Sequence, residues 1–267
     1  MSLGVDPGLS AGLELVRRPI AATVLARTVL NRQLVRVTVG APELDRFEYT
    51  APDHLVRIFL PPQPGAALVL PTTERWWPEL QEMPDASRPV VRNYTVRAFD
   101  PGARRLGIDF VLHGHGPGST FARTAAPGDR LGILSDGADY APPLDTDWQL
   151  LVGDETALPA IAAIIEQLDP GARALAFIEV GTRADELHIP RHPGVRIHWL
   201  HRGEPRPTNC DLLLRRLRET ALPTGRPYAW LAGESSLVTS VRRHLVTDRG
   251  FDKSHIYFCG YWRRMND

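Results

Sequence analysis

The apolar residues of this chain change their spacing at one point, close to Ala141, Pro142 and Pro143. Before this point, short runs of alternating apolar and polar residues are separated by proline and glycine, a pattern typical of antiparallel strands. After it, continuous apolar runs alternate with segments whose apolar residues recur every three or four positions, as in parallel strands and helices. One regular fold cannot satisfy both patterns, so we predict two domains, at residues 14–141 and 145–267.

The first domain is predicted to be a closed antiparallel β-barrel of six strands, because closure removes the unpaired edges that short strands would otherwise expose. Alternating runs that fit its strands lie at residues 34–39, 54–60, 91–99 and 106–112. Residues 61–88 contain prolines at 61, 62, 64, 71 and 78 beside two tryptophans. We therefore predict an excursion beside the functional site there, without any regular element.

The second domain is predicted to be a parallel sheet covered by helices on both faces. Apolar strands fit residues 148–152, 174–180, 195–200, 228–232 and 255–259, and helical spacing fits 157–168, 212–219 and 235–248. Ser235 or Ser236 is expected to cap the last helix, since a serine side chain accepts a hydrogen bond from a free N–H group of the first turn. A barrel followed by a parallel α/β sheet is similar to the architecture of the ferredoxin-reductase-like flavoenzymes.

The composition excludes several classes of partner. The 31 basic and 31 acidic residues balance, so the whole molecule has no field that would attract nucleic acid or an anionic membrane. No apolar run reaches the ~20 residues that span a bilayer, and no secretory signal is recognisable, so we expect a cytoplasmic protein. Cys210 and Cys259 have no Cys or His at metal-ligand spacing, which argues against a metal site. We expect a monomer with reduced cysteines that binds small molecules.

The first group of residues suited to chemistry is Arg92, Asn93, Tyr94 and Thr95, on a predicted strand. A flavin needs an aromatic or apolar surface beside its ring, a hydrogen-bond donor near N5 or the ribityl chain, and a cation at its pyrophosphate. Tyr94, Thr95 and Arg92 supply these in that order. Lys253 is the only lysine of the chain, so arginine must make such anion contacts here. The alternative for this segment is a half-exposed barrel strand with ordinary surface arginines.

The second group is a glycine-rich turn that follows a predicted strand and leads into a predicted helix. Glycines let the backbone approach a ligand, and the N–H groups and positive dipole of a helix start attract phosphate. The turn at residues 114–120, with Gly116 and Thr120, is therefore a predicted phosphate site, and a serine is expected to cap the helix. Its spacing differs from the GxGxxG fingerprint of dinucleotide-binding folds. His113 suits a structural role as well as a contact with a ligand.

A third group, Gly153, Asp154, Glu155 and Thr156, follows the first parallel strand, where open sheets place nucleotide ligands. We predict that the first three contact a nicotinamide nucleotide and that Thr156 contacts the flavin. A single glycine is a weak signal for a phosphate loop, and the two carboxylates would repel phosphate. Their alternative role is to stabilise the start of the next helix.

The fourth group is the aromatic pair Tyr261 and Trp262, which follows the last predicted strand. In two-domain flavin reductases this strand end adjoins the isoalloxazine ring, so the pair is predicted to cover the flavin face opposite Tyr94. The alternative is an anchor that holds the C-terminal segment to the domain.

These four groups, in this order and over residues 16–264, resemble the siderophore-interacting proteins. The resemblance implies a ferredoxin-reductase-like fold, bound FAD, NADH or NADPH as electron donor, and reduction of ferric siderophores. It also implies that Arg92, Tyr94 and Thr95 hold the flavin. The residues that it places along the ribityl chain and pyrophosphate are Asp109, Leu112, His113, Gly118 and Ser119.

Two positions depart from the pattern of that family. Phe121 stands where relatives usually have tryptophan, and Arg57 stands where they commonly have a lysine that belongs to the siderophore-binding patch. Arginine keeps the charge but changes the geometry of the contact. With Arg263 and Arg264, Arg57 is our predicted substrate-binding rim.

Flavin-mediated electron transfer requires no catalytic acid, base or nucleophile from the protein, and we predict none. No arginine stands at a recognisable position for a 2′-phosphate, which favours NADH while leaving NADPH open. Two other functions remain: a general flavin or ferric-chelate reductase of the same fold, and a non-catalytic protein that binds flavin or siderophore. Neither the siderophore nor the oligomeric state follows from the residues.

Overall fold

The computed structural model describes residues 18–114, 116–203 and 211–264. Residues 14–17 and 265–267 of the predicted domains, and Cys210, lie outside the described residues. The barrel strands are β1 (Ile20–Val29), β2 (Leu34–Gly40), β3 (Leu55–Leu60), β4 (Val90–Asp100), β5 (Arg105–Val111) and β6 (Arg130–Gly137). They close in the order β1-β2-β5-β4-β3-β6, and every neighbouring pair is antiparallel. The prediction of a closed six-stranded antiparallel barrel is confirmed.

Alternation along the strands explains the barrel. On β2, Val35, Val37 and Val39 are fully buried, whereas the residues between them are partly exposed. Ile58 and Ile108 continue the same interior from β3 and β5. Because side chains of a strand point alternately to its two faces, a period of two leaves one face for the core.

The excursion between β3 and β4 contains a helix, α1 (Trp76–Glu82), so the prediction that residues 61–88 hold no regular element is wrong. Pro78 is tolerated because it lies in the first turn, where N–H groups have no intrahelical acceptor. The Glu79 carboxylate accepts hydrogen bonds from the N–H groups of Thr72 and Thr73, at 2.8 and 3.0 Å. Leu80 is buried on the outer face of the barrel, and this packing stabilises a helix that is too short to form alone.

The second half is a parallel sheet of five strands: β7 (Trp148–Asp154), β8 (Ala174–Val180), β9 (Val195–His201), β10 (Pro227–Glu234) and β11 (Ile256–Trp262). Their order is β11-β10-β7-β8-β9, so the chain leaves β7 toward one edge and later returns to the other. All residues of β7 and β8 are buried, which matches their continuous apolar runs. β6 and β7 are separated by residues 138–147, and the proposed division between the domains falls within this link.

The described residues contain four helices of eight residues or more: α2 (Pro117–Thr124) in the barrel half, then α3 (Leu158–Gln167), α4 (Leu212–Glu219) and α5 (Ser235–Thr247). Both serine caps were predicted wrongly. The N-cap of α5 is Glu234, whose carboxylate accepts from the N–H groups of Ser236 and Leu237. The N-cap of α2 is Gly116, and Ser119 lies inside the first turn. Within the described residues, no helix combines the length and apolar character needed to cross a membrane.

Two polar contacts, one buried and one partly buried, join the barrel to the sheet. The indole N–H of Trp230 on β10 donates to Asp53 at 2.9 Å. Arg97 on β4 pairs with Glu166 on α3. Since polar groups buried without a partner are costly, these contacts fix how the two halves meet.

Candidate functional site

Two of the predicted site residues, Thr95 on β4 and Tyr261 on β11, come together across the boundary between the barrel and the sheet. Burial, the larger cause, raises the pKa of Tyr261, and the interaction with the Thr95 hydroxyl lowers it. Thr95 is 5% exposed. The strand order reverses between β7 and β10, and open sheets bind ligands in the crevice at such a point.

Tyr94 lies on the face of β4 opposite to Thr95 and packs against the core of the barrel. Its ring centroid is 4.3 Å from that of Phe110, at an interplanar angle of 44°. Burial raises the pKa of Tyr94 to about 12. A Cβ added at Gly118 would lie 2.0 Å from the Tyr94 hydroxyl oxygen, so only glycine fits at this point of α2. The structure thus brings Tyr94 and Gly118 together, and much of the Tyr94 ring is used in packing.

The glycine-rich turn is folded back on the start of α2. The Ser119 hydroxyl donates to the His113 carbonyl at 2.9 Å and accepts from the His113 N–H at 3.0 Å. Gly114 has a φ of +48°, in the left-handed region that glycine adopts readily. The His113 side chain is exposed, and Leu112 packs partly against the barrel core.

The start of α2 has the donors expected of a phosphate site. The N–H groups of Gly118 and Ser119 lie in the first turn, where the helix supplies no acceptor, whereas Thr120 already bonds to the Gly116 carbonyl at 2.9 Å. The Arg92 guanidinium is exposed and donates to the carbonyl of Val91 at 2.8 Å. It therefore keeps donors available for an anion, as does the exposed amide of Asn93.

Asp109 has a different environment from the one that the sequence suggests. Its side chain is fully buried on the outer face of β5 and accepts from Nε and Nη2 of Arg36, at 2.6 and 2.8 Å. Arg97 lies 3.8 Å away, on the side of α3. The hydrogen bond that Arg36 donates to Asp109 raises the pKa of Arg36 above its ordinary value. Asp109 is therefore built into the contact between the barrel and α3, and its predicted contact with a cofactor has no support from these distances.

The two acidic residues at the end of β7, Asp154 and Glu155, also bind partners within the protein. Glu155 forms a bidentate pair with Arg202, which follows β9, at 2.6 and 2.7 Å. Asp154 is fully buried and accepts from the N–H and hydroxyl of Thr156, at 2.9 and 2.5 Å. Because both charges are neutralised or turned inward, they repel an approaching phosphate less than the sequence implies. At Gly153, a Cβ would lie 2.5 Å from that of Ala157, so glycine is needed for β7 to pack against α3.

The predicted rim arginines come from two separate elements. Arg57, on the outer face of β3, donates to Asp136 at 2.7 Å and lies 5.2 Å from the centroid of the Trp76 ring. Arg263 is exposed after β11, and the N–H of Arg264 donates to Glu234 at 3.3 Å. The contact with Asp136 reduces the charge that Arg57 offers to an anion.

Sequence reasoning missed the residues that hold the two halves together, among them Asp53, Glu166 and Trp230. Each is paired with a residue far along the chain, and no local motif marks such a pair. Among the described residues, no cluster of His, Cys, Asp and Glu is arranged to hold a metal ion.

Comparison with known proteins gives two family matches. Residues 23–140 match the siderophore-interacting FAD-binding domain, and residues 146–265 match the siderophore-interacting protein family. The ferric vibriobactin reductase ViuB of Vibrio cholerae is 32% identical, over 88% of this chain and 86% of that protein. An NADPH-dependent ferric-chelate reductase of Escherichia coli is 29% identical, over 90% of this chain and 91% of that protein.

Solved structures are similar to this chain over almost all of its length. A siderophore utilization protein from T. fusca superposes with a TM-score of 0.83 at 36% identity, covering 95% of each chain. A ferredoxin NADP+ reductase from Neisseria gonorrhoeae, 13% identical, has a TM-score of 0.64 over 92% of this chain and 99% of that one. The second likeness concerns the fold alone, and it confirms the ferredoxin-reductase-like architecture.

Proposed function

Because this chain belongs to the siderophore-interacting protein family, we propose that it is an FAD-dependent reductase that passes electrons from a reduced nicotinamide dinucleotide to ferric siderophores, releasing Fe(II). One observation supports this most directly: Thr95 of the barrel and Tyr261 at the end of β11 interact across the boundary between the two halves, one strand away from the point where the strand order reverses. A site that is shared by the two halves suits a flavin that must exchange electrons with a nicotinamide.

The residues at this boundary fit FAD. The start of α2 offers the N–H groups of Gly118 and Ser119 to a pyrophosphate, and exposed Arg92 supplies a cation. Thr95 and Tyr261 supply hydroxyl groups beside a flat ring. The other residues that we propose as cofactor contacts are Asn93, Tyr94, Leu112, His113, Gly116, Thr120, Thr156 and Trp262.

FAD, when bound, takes up two electrons with a hydride and releases them one at a time, which suits the reduction of Fe(III) to Fe(II). The protein holds the ring at the boundary between the halves and limits its contact with water. Thr95 and Tyr261 act as hydrogen-bonding groups of fixed position rather than as acids or bases, because burial raises the pKa of Tyr261 and a threonine hydroxyl does not titrate.

The nicotinamide nucleotide is proposed to bind in the crevice at the ends of β7 and β10, next to Gly153. Asp154 and Glu155, which the sequence assigns to this ligand, are held by internal partners, so we propose a backbone contact at Gly153 instead. The E. coli relative is described as NADPH-dependent, and both nucleotides should be compared.

The function is tested by anaerobic reduction followed by transfer. Purified protein with bound FAD is mixed with NADH or NADPH, and the visible absorption of oxidised flavin should disappear. A ferric siderophore is then added, and Fe(II) is measured with a ferrous-specific chelator while the flavin absorption returns. Reduction of free FMN or quinones in preference to ferric chelates would indicate a general reductase, and a flavin that neither nucleotide bleaches would indicate a binding protein.

The same preparation identifies the cofactor. We expect acid release to yield FAD rather than FMN, because the start of α2 and Arg92 together suit a pyrophosphate with two charged groups. Chromatography of the released flavin distinguishes the two. Recovery of FMN alone would contradict the assignment of this turn to a pyrophosphate.

Neutralising charges at the predicted substrate-binding rim should change the KM for an anionic ferric siderophore. Arg57→Gln is expected to raise the KM for such a chelate about three- to ten-fold, because rim charges act on the encounter of the partners. Asp136→Asn removes the partner of Arg57 and should lower the KM, since the guanidinium charge becomes free. Flavin reduction by the nicotinamide is the control and should not change. If both variants weaken both half-reactions alike, the pair has a structural role.

A further inference from the structure

The carboxylate of Asp154 links the ends of three neighbouring strands. Asp154 is fully buried at the end of β7. Besides the two bonds from Thr156 to Oδ1, its Oδ2 accepts from the N–H of Glu234 on β10 at 3.0 Å and from the indole N–H of Trp262 on β11 at 2.8 Å. Hydrogen bonds to an ionised group are about twice as strong as neutral ones, so this carboxylate is a strong link between the strand ends.

The backbone of β10 is shaped to meet this carboxylate. Gly233 has a φ of +138°, and a Cβ at this position would lie 2.9 Å from Cγ of Asp154. Any other residue would be strained and would push the two strands apart. The close approach of β7 to β10 therefore depends on the glycine and on the carboxylate together.

The pairing of β10 with β11 contains a β-bulge at Tyr261. Gly233 pairs with Gly260 and Glu234 pairs with Trp262, so Tyr261 has no partner in β10. The bulge is held on its far side, where the Ser235 hydroxyl donates to the Trp262 carbonyl at 2.9 Å and Asp154 holds the Trp262 indole. Bulges turn a side chain out of the regular pattern, and here the Tyr261 side chain comes close enough to Thr95 in the barrel for the two to interact.

We propose that Asp154 is a positioning residue for the flavin, rather than a ligand of the nicotinamide nucleotide. By holding Trp262 it fixes the bulge, and the bulge fixes the Tyr261 ring against the barrel strand that carries Thr95. This inference rests on the proposed function, because its effect is seen on the bound flavin. On this proposal, the carboxylate of Asp154 at the end of β7 acts within the protein. The nicotinamide nucleotide would then contact the backbone of Gly153 beside it.

The test uses full-length protein with FAD and two variants that remove opposite ends of one contact. Asp154→Asn replaces one carboxylate oxygen with an N–H₂ group that faces N–H donors, and Trp262→Phe replaces the indole with a smaller ring that has no N–H. A tyrosine close to a flavin quenches the fluorescence emission of the flavin, so each variant should raise the emission of bound FAD at least two-fold. Each variant should also weaken the binding of FAD about three- to ten-fold. The double variant should be no worse than Asp154→Asn alone. Asp169→Asn, an exposed acid of the same half, is the matched control and should behave as wild type.

The outcomes separate the competing roles. Lower thermal stability of both variants with unchanged emission would overturn the proposal in favour of a structural role. A rise confined to the KM for the nicotinamide nucleotide, again with unchanged emission, would return Asp154 to that ligand. If Asp154→Asn does not fold, Ser235→Ala decides, because Ser235 holds the other side of the same bulge and is not itself a proposed cofactor contact. If the wild type binds FAD but does not reduce ferric chelates, the proposed function is wrong and the emission test of Asp154 remains valid. If the wild type does not bind FAD, the proposed function and the role of Asp154 are both wrong.

Discussion

Replacing Asp109 with alanine should lower the free energy of unfolding by about 3 kcal/mol, because it leaves the Arg36 guanidinium without its buried partner. Both oxygens of Asp109 bond to Arg36, and Arg97 lies within 3.8 Å on the side of α3. The variant would leave two like charges close together at the contact between barrel and sheet. Asp109→Asn, which keeps the shape but loses the charge, should give an intermediate loss.

The measurement is chemical denaturation of the flavin-free protein, with FAD affinity measured in parallel. Asp45→Ala is the control, since Asp45 is a half-exposed acid whose nearest arginine nitrogens are 4.0 Å away, and its effect should stay within about 0.5 kcal/mol. The resemblance to relatives suggests instead that Asp109 lines the flavin. If FAD affinity falls while the flavin-free protein keeps its stability, that interpretation is correct and ours is wrong.

Replacing Gly118 with alanine should lower the free energy of unfolding by about 1–3 kcal/mol and weaken FAD binding about ten-fold. A new Cβ would overlap the Tyr94 hydroxyl at 2.0 Å and crowd its ring carbon Cζ at 3.2 Å. Alanine gains up to about 1 kcal/mol of helix propensity, which is smaller than this overlap costs. Either α2 or the Tyr94 ring must move, and the proposed phosphate donors and the proposed flavin contact lie on these two elements.

A second substitution identifies the cause of the loss. In the background of Tyr94→Phe the overlapping oxygen is absent, so Gly118→Ala should cost less than half as much as in the wild type. Gly171→Ala is the matched control, since no atom lies within 4 Å of its added Cβ. Stability from denaturation and FAD affinity from titration are measured on all five proteins: wild type, the two single variants, the double variant and the control. An equal cost in both backgrounds would show that Tyr94 is not the residue that excludes a side chain at position 118.

The division of the chain into a barrel and a parallel sheet followed from its periodicity. Val35, Val37 and Val39 repeat with a period of two because a strand has two faces, and Leu158, Ile161 and Ile165 repeat as on a helix. Such patterns arise from local backbone geometry, so they can be read without knowing the partner of any residue. The motifs also predicted one ligand site for Tyr94, Thr95 and Tyr261, and the fold brings Thr95 and Tyr261 together at the boundary between the halves.

Local detail was less predictable where a side chain from outside the motif intervened. Helix α1 forms among prolines because Leu80 packs on the barrel and Glu79 binds the preceding backbone. Glu234 caps α5 in place of the serines, because a carboxylate at the end of β10 accepts from two N–H groups of the first turn. Propensity favours serine at such a position, but the nearer and stronger acceptor wins.

The sequence by itself therefore determined the two folds, their order, and the strands and turns on which the chemistry lies. Only the tertiary structure decided which of the acidic residues in those motifs remain available to a ligand. Asp109 is bound by Arg36, which lies 73 residues away, and Asp154 by Trp262, which lies 108 residues away. Periodicity reports the face on which a residue lies, whereas a hydrogen bond between distant segments depends on how the faces are brought together and leaves no repeat in the sequence.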